Sequence, residues 1–491
     1  MVWTICYLAV LLGMSLYGLH RYLIIFLYFR NRHLAPPPPR KFPELPVVTV
    51  QLPIYNEIYV IERLLRAVSQ IDYPPEKLEI QILDDSTDET SEVAYREAMR
   101  LRHAGFQVEV LRRPDRFGFK AGALNHGLAR AKGEFFLILD ADFIPPPQIL
   151  QETVHYFSDR AIGMIQTRWG HINRSYSFLT RAQAILLDGH LLLEQTARSR
   201  TGRFFNFNGT AGLWRRSCIE QAGGWQHDTL TEDLDLSYRA QLKGAKFLFL
   251  SNIVTPAELP VDMSGFRSQQ HRWTKGSIQT CKKVLPLILK SRLPWWIKVE
   301  AAVHLTSNFA YLLLAFLCIL LHPSRTRIST DWQQVALIDL PIFAATTLSV
   351  AVFYLCAQRE LYPKDWKREI LFFPFVLALG IGLSISNARA VLEAVFNHKS
   401  AFARTPKYGF ALENGSPKEN RYARLQKVLP MVEIFFAIYF GYFAVTALEN
   451  REFLSLPFLM LFQVGFAYVA LTSLRELASR RHWSIRGGPA V

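Results

Sequence analysis

Long apolar runs at both ends of the chain, with none between them, are the strongest constraint on how it can fold. Residues 1–28 form one such run, and five more lie near 299–321, 335–357, 370–396, 429–448 and 453–474. A helix of about 20 apolar residues is what the hydrocarbon core of a bilayer requires. Residues 46–290 differ: short strand-like runs alternate with helical ones, and charges are frequent. The chain therefore reads as one α/β domain inserted between membrane helices, and 491 residues are enough for both.

The first run, 1–28, is interrupted by His20 and Arg21 and lacks a basic start and a clean cleavage site, so it reads as an uncleaved anchor. A linker, 29–45, is stiffened by Pro36, Pro37, Pro38 and Pro39 and flanked by Arg30, Arg32, Arg40 and Lys41. Basic residues beside an anchor mark the cytoplasmic side, which puts the N-terminus outside. Both flanks of 370–396 are basic too. Arg359, Lys364, Lys367 and Arg368 precede it; Lys399, Arg404, Lys407, Lys418, Arg421, Arg424 and Lys427 follow in the loop 397–428. The same bias wants both flanks inside, so 370–396, whose second half looks amphipathic, is expected to dip into or lie on the inner face without crossing; a sixth ordinary span is the other reading, since its first half is long and apolar. The first reading leaves five crossings, a membrane and interfacial region at 291–474, and a basic cytoplasmic tail at 475–491. The expected protein is a multi-pass inner, plasma or endomembrane protein with its α/β domain in the cytoplasm.

The net charge is +15, from 56 Lys and Arg against 41 Asp and Glu. In a membrane protein this excess suits loop bias and anionic lipid, or else a phosphate-bearing substrate. Nucleic acid is disfavoured, because no basic run is interleaved with aromatics outside the membrane flanks. Cys6, Cys218, Cys281, Cys318 and Cys356 show no close pair or metal-ligand spacing, so free thiols are expected.

Within the central part, strands are predicted at 47–52, 78–83, 108–111 and 135–139, with helices near 57–70 and 88–104. Such alternation predicts a largely parallel sheet, which binds ligands at the C-terminal ends of its strands. The first strand leads into Pro53-Ile54-Tyr55-Asn56-Glu57, the second stops at Asp84-Asp85-Ser86, and the fourth at Asp140-Ala141-Asp142. Asp140 and Asp142 offer oxygen ligands for a hard divalent cation bridging two phosphates; a plain Asp turn explains the pattern as well. Asp84 and Asp85 suit the base and ribose of a nucleotide, or another turn. Lys120 sits before a helix, where it can meet phosphate or water. Thr231-Glu232-Asp233 opens a helix that ends near Lys243. Thr is a fair N-cap and acids suit a first turn; alternatively Asp233 is a general base that takes the proton of an attacking hydroxyl. In Gln269-Gln270-His271-Arg272-Trp273, Arg272 can clamp phosphate and Trp273 can face a sugar ring; an interfacial Arg/Trp pair is the other reading. His271 has no evident role.

The order Asp84-Asp85-Ser86, Asp140-Ala141-Asp142, Thr231-Glu232-Asp233, Gln269-x-x-Arg272-Trp273 resembles the D, DxD, TED, QxxRW signature of processive family 2 glycosyltransferases, the cellulose synthase superfamily. Phe207-Asn208-Gly209-Thr210 is similar to its acceptor segment. Together with Gln166-Thr167-Arg168-Trp169, the run 207–215 looks most like the plant cellulose-synthase-like A and C classes, which make mannan or the glucan backbone of xyloglucan. Phe402-Ala403-Arg404-Thr405-Pro406-Lys407 is similar to a gating loop that closes over the donor, with Arg404 in place of Val. The resemblance, from about 46 to 410, implies a Rossmann-like GT-A fold and an inverting enzyme using a nucleotide sugar of the UDP-glucose or GDP-mannose type with Mg²⁺ or Mn²⁺. It implies Glu57, Asp84, Asp85, Lys120, Asp140, Gln269, Arg272 and Lys407 on the donor, Asp140 and Asp142 on the metal, and Asn208, Gly209 and Trp273 on a polysaccharide acceptor. Asp233 with Glu232 would be catalytic. It also implies secretion of the polymer through the membrane helices, with cell-envelope export partners beyond them. No further domain of the cyclic-dinucleotide-sensing type is expected after the last helix. The competing readings are a transferase that adds one sugar to a lipid, and a transporter with a degenerate domain.

Overall fold

The computed structural model describes residues 2–34, 36, 39–321, 340–398, 405–410, 428–453 and 455–485. Pro37, Pro38, the stretch 402–404, most of the basic loop 397–428 and Arg486 lie outside the described residues.

The central part is a seven-stranded sheet in the order β3-β2-β1-β4-β6-β5-β7. Its strands are β1 (Val48–Ile54), β2 (Leu78–Asp84), β3 (Gln107–Arg112), β4 (Phe135–Ile138), β5 (Ile162–His171), β6 (Gly212–Arg215) and β7 (Lys246–Ala257). β1 to β4 are mutually parallel; β6 runs antiparallel to both β4 and β5, and β5 pairs parallel with β7. The sheet is thus mixed. Central strands covered on both faces need continuous apolar runs, and β1 and β2 are buried along almost their whole length.

Alternate residues of β4 show the two covered faces. Leu137 packs with Val50, Leu52, Ile80 and the helices α2 (Ile61–Val68) and α3 (Thr90–His103), through Leu64, Ala94 and Ala98. Phe136 and Ile138 face the other way, onto Leu124 of α4 (Phe119–Arg130), Trp214 and Leu236 of the helix Glu232–Leu242. The four strands predicted from the sequence appear within two residues at each end; β5, β6 and β7 carried no clear signal. All five cysteines are free thiols.

Among the described residues, four helices are long and apolar enough to cross a membrane: Ile5–Asn31, Leu340–Leu361, Leu429–Glu449 and Leu456–Ala478. On the first of them Ile5, Leu8, Leu12, Leu16, Leu19, Leu23 and Phe26 are exposed at helical spacing, a stripe suited to lipid. His20, which interrupts this run, turns inward and meets Glu300 at 3.0 Å. Two further segments are broken: Trp295–Thr306 and Phe309–Leu320 meet at 54°, and Trp366–Gly382 and Ser384–Val395 at 41°. The second half of 370–396 departs from a simple amphipathic pattern. Ser384, Ser386 and Asn387 are buried along with Ala390, Val391 and Ala394, because this helix packs on Ile278 of the helix Met263–Lys290 and near Phe309.

Candidate active site

β2, β1 and β4 lie side by side and parallel, so their C-terminal ends converge. The strand order reverses between β1 and β4, the place where α/β sheets open a crevice. A cavity of about 280 Å³ sits there. Glu57, Asp85, Lys120, Asp140, Asp142, Asn208, Gly209, Glu232, Asp233, Gln269, Arg272, Trp273 and Lys407 all line it. Residues far apart in sequence thus share one site.

Asp84 is the exception. It is buried, and its Oδ1 accepts the N–H of Ser86 at 2.9 Å, so this acid closes its own turn and does not line the cavity. Asp85 does line it, and its carboxylate also accepts from Arg113, whose Nε lies 3.0 Å away. The same guanidinium donates to the carbonyls of Phe117 and Phe119 at 2.8 and 3.1 Å. Asp85 therefore also sets the loop that starts α4 and places Lys120 in its first turn.

Each acid of the Asp-x-Asp turn faces a lysine. Lys120 Nζ lies 2.5 Å from Asp140 Oδ1 and donates to the Gly209 carbonyl at 2.9 Å. Lys407 Nζ contacts Asp142 Oδ1. Burial opposes ionisation of Asp140, but Lys120, Lys407 and Arg272 outweigh it and hold the carboxyl below its ordinary value. Burial likewise disfavours a charged Lys407, and Asp142, Glu57 and Asp140 overcome it, so the ammonium stays protonated.

Glu232 and Asp233 behave in the opposite way. Burial, and then the neighbouring Glu232, push the Asp233 carboxyl up to about 7; burial raises Glu232 too. Asp233 Oδ1 accepts the N–H of Leu234 at 2.8 Å. Gly209 lies against the other oxygen. Its φ is +83°, and a Cβ there would stand 2.8 Å from Asp233 Oδ2 and 3.8 Å from Lys120 Nζ. Only glycine fits both the conformation and the gap.

The second wall is the helix Met263–Lys290, seated on the turn that carries Asp233. A Cβ on Gly276 would be 2.6 Å from the Thr231 side chain, so the helix approaches as nearly as a glycine permits. Thr231 makes no capping bond; its hydroxyl lies 3.2 Å from that of Thr280. Gln279 accepts the N–H of Leu230 at 2.9 Å. Earlier turns of this helix present Gln269, Arg272 and Trp273 to the cavity. His271 turns away and meets Glu393 at 3.1 Å, which fastens the helix Ser384–Val395.

Several residues that shape the site were not singled out from sequence. Thr210 Oγ1 accepts the N–H of Asp140 at 2.8 Å. Gln166 accepts the N–H of Asn208 at 2.9 Å and donates to the carbonyls of Thr210 and Ala211 at 3.1 and 3.0 Å, which fixes the 208–211 turn. Its place in Gln166-Thr167-Arg168-Trp169 was the available signal. Arg116 stacks 3.3 Å from the centre of the Tyr55 ring at the cavity edge; a lone arginine in a loop gives no sequence signal.

Asp140 and Asp142 provide two carboxylates on one tight turn, and no group of three or more His, Cys, Asp or Glu is assembled among the described residues. A cation that keeps waters and takes phosphate oxygens asks for no more than this, so the donor set fits Mg²⁺ or Mn²⁺ shared with a diphosphate.

A family model described as glycosyltransferase like family 2 matches residues 45–276. Glucomannan 4-beta-mannosyltransferase 1 of Oryza sativa subsp. japonica is 37% identical over 289 residues, 57% of this chain and 55% of that protein. Glucomannan 4-beta-mannosyltransferase 2 of Arabidopsis thaliana is 40% identical over 260 residues, 52% of this chain and 49% of that protein. In these matches the chain spans about half the length of the curated relatives. Glucomannan 4-beta-mannosyltransferase 7 of Arabidopsis thaliana is 31% identical over 441 residues, 86% of this chain and 77% of that protein. Mannosyltransferase PcManGT from Pyrobaculum calidifontis, solved in complex with GDP-Man and Mn2+, superposes with a TM-score of 0.54 at 21% identity, covering 80% of this chain and 99% of that one. The mixed sheet described above is therefore of the GT-A kind. With a relative 31% identical over 77% of its length and the family model over the sheet, the chain belongs to glycosyltransferase family 2, of the cellulose synthase-like A/C type.

Proposed function

We propose that the chain is an inverting hexosyltransferase that extends a β-linked mannan or glucomannan from GDP-mannose, with a UDP-glucose-type donor as the other candidate. The observation that carries this reading is the meeting in one cavity of Asp233, held against Gly209, with Asp140, Asp142, Lys120 and Arg272; burial and the neighbouring Glu232 raise the Asp233 carboxyl toward neutrality. An acceptor hydroxyl is a poor nucleophile, and a base that titrates near neutrality suits the removal of its proton. Asp233 takes that proton while the hydroxyl attacks C1 of the donor sugar. Lys120, Arg272 and Lys407 balance the charge of the departing diphosphate. Glu57, Asp85 and Gln269 hold the rest of the donor, and Trp273, Asn208 and Gly209 orient the acceptor. A divalent cation, Mg²⁺ or Mn²⁺, held by Asp140 and Asp142 would neutralise phosphate charge. Attack opposite the leaving group inverts the anomeric centre, so an α-linked donor yields a β-linked product. The mannosyltransferase relatives, and GDP-Man in PcManGT, support mannose.

Export of the product through the membrane helices is part of the proposal. A chain of polar side chains supports it, with Arg198 and Glu300 buried and the others half-buried, because it leads from the acceptor segment into the apolar helices. His190 lies 3.3 Å from Asn208 and 2.9 Å from Glu194; Arg198 joins Glu194 at 3.1 Å and Glu300 at 2.9 Å; Glu300 meets His20. Ionisable groups inside apolar helices mark a polar path more often than they add stability. The basic loops favour a cytoplasmic site, and the bend at 383 supports a segment that enters the membrane without crossing. Purified protein incubated with a panel of GDP- and UDP-hexoses tests the proposal: mannosyl transfer from GDP-mannose is expected, and inertness toward every donor would refute it.

A further inference from the structure

The segment 405–410 is anchored by more than its lysine. Arg272 donates to Thr405 Oγ1 at 3.4 Å, Pro406 packs on Gly265, and Lys407 meets Asp142. Beyond Lys407, three successive backbone N–H groups donate to one carboxylate. Tyr408, Gly409 and Phe410 reach Glu258 at 3.0, 3.2 and 2.8 Å. Glu258 follows β7 directly, and its side chain is 3% exposed. Arg63 of α2 pairs with Glu258 at 2.7 Å, donates to the Phe410 carbonyl, and donates to the Asp142 carbonyl at 3.3 Å. One arginine thus ties together the carboxylate, the loop and the Asp-x-Asp turn. Gly409 has φ +69°, and a Cβ there would stand 2.5 Å from the Tyr59 carbonyl, so this seat admits only glycine. Phe410 adds an edge contact to the Tyr176 ring at 5.0 Å.

We infer that Glu258, braced by Arg63, is the latch that holds the 405–410 loop shut and thereby places Lys407 on the donor site. Both are positioning residues, since they act through the loop. The inference rests on the reading of this cavity as a nucleotide-sugar site. A buried carboxylate with three amide donors and a guanidinium is well satisfied, and its removal strands those donors away from water. Glutamine cannot replace it, because one acceptor oxygen becomes an NH₂ that faces other N–H groups. An open loop withdraws Lys407 and admits water to the donor.

The test is amide hydrogen exchange of the 405–410 peptide in the full-length protein in nanodiscs, with donor kinetics on the same samples. In Glu258→Gln and Arg63→Gln the amides of Tyr408, Gly409 and Phe410 are expected to exchange at least tenfold faster, with β1 and β2 unchanged and Glu258→Asp in between. Donor KM should rise more than kcat falls, and more donor should be lost to water per sugar transferred. Gly409→Ala leaves the carboxylate in place and should also speed exchange, which keeps the test alive if the Glu258 variants do not fold. Unchanged exchange at those three amides overturns the latch. Faster exchange in the variants, with a wild type that turns over no donor, overturns the proposed function instead, because the latch is then present without the site it serves.

Discussion

Asp233→Asn separates catalysis from folding at the residue on which the mechanism depends. Asparagine keeps the Oδ1 that accepts the Leu234 N–H at 2.8 Å, so the turn is retained. What is lost is the base. Such a loss lowers kcat by about 10²–10⁴-fold, equivalent to about 3–5 kcal/mol of barrier. Stability should move the other way. A carboxyl whose folded pKa is raised binds its proton more tightly in the folded state, so folding loses stability as pH rises from 3.8 through about 7. Burial and then Glu232 cause this displacement, so its effect on folding is destabilising at high pH. Asparagine carries no such penalty, so at pH 8 the variant should melt slightly above the wild type while being nearly inactive. The assays are transfer of labelled hexose and a thermal melt. The wild-type kcat/KM should climb about tenfold per pH unit below 7 and then level. Near-normal turnover of the variant, or a wild-type profile flat from pH 5 to 8, would refute the role of Asp233.

Further outcomes follow from the same geometry. Chelation should stop transfer, and Mn²⁺ or Mg²⁺ should restore it in the wild type but not in Asp142→Ala, as read by donor binding in a metal titration. Lys120→Met should lower kcat by about 100-fold with little change in Tm; an unaltered kcat would show that the contact with Asp140 has no catalytic consequence. Gly209→Ala forces a Cβ to within 2.8 Å of Asp233 Oδ2, so transfer should fail while donor binding persists. Arg198→Ala removes a buried partner of Glu194 and Glu300 and should cost about 3–5 kcal/mol, read as a large drop in Tm.

The site was more legible in sequence than the fold around it. Asp85, Asp140, Asp142, Asp233 and Arg272 could be singled out because each sits at a strand end, a helix start or in a short ordered motif, and their spacing along the chain was informative. β1, β2 and β4 could be placed because buried central strands are rich in β-branched and apolar residues, and β3, at the sheet edge, because its apolar residues alternate with polar ones. β6 has four residues, Gly212–Arg215, too few to show a period, and β5 and β7 mix polar and apolar residues on partly covered faces. Asp84 illustrates a limit of a different kind: its motif neighbour Asp85 lines the cavity, and which of two adjacent acids turns inward is decided by a turn hydrogen bond to Ser86. Glu258 and Arg63 were invisible for the same reason that they matter. They act through backbone groups of a loop about 150 residues beyond Glu258, and no local pattern encodes that meeting.

The most direct test of the central claim is the anomeric configuration of the bond that the purified protein makes. GDP-mannose, a short manno-oligosaccharide and Mn²⁺ are incubated with it, and the product is read by NMR and linkage analysis. The account predicts a β-configured mannosyl linkage on the acceptor, absent in Asp233→Asn. An α-linked product, or release of free mannose without transfer, would contradict it.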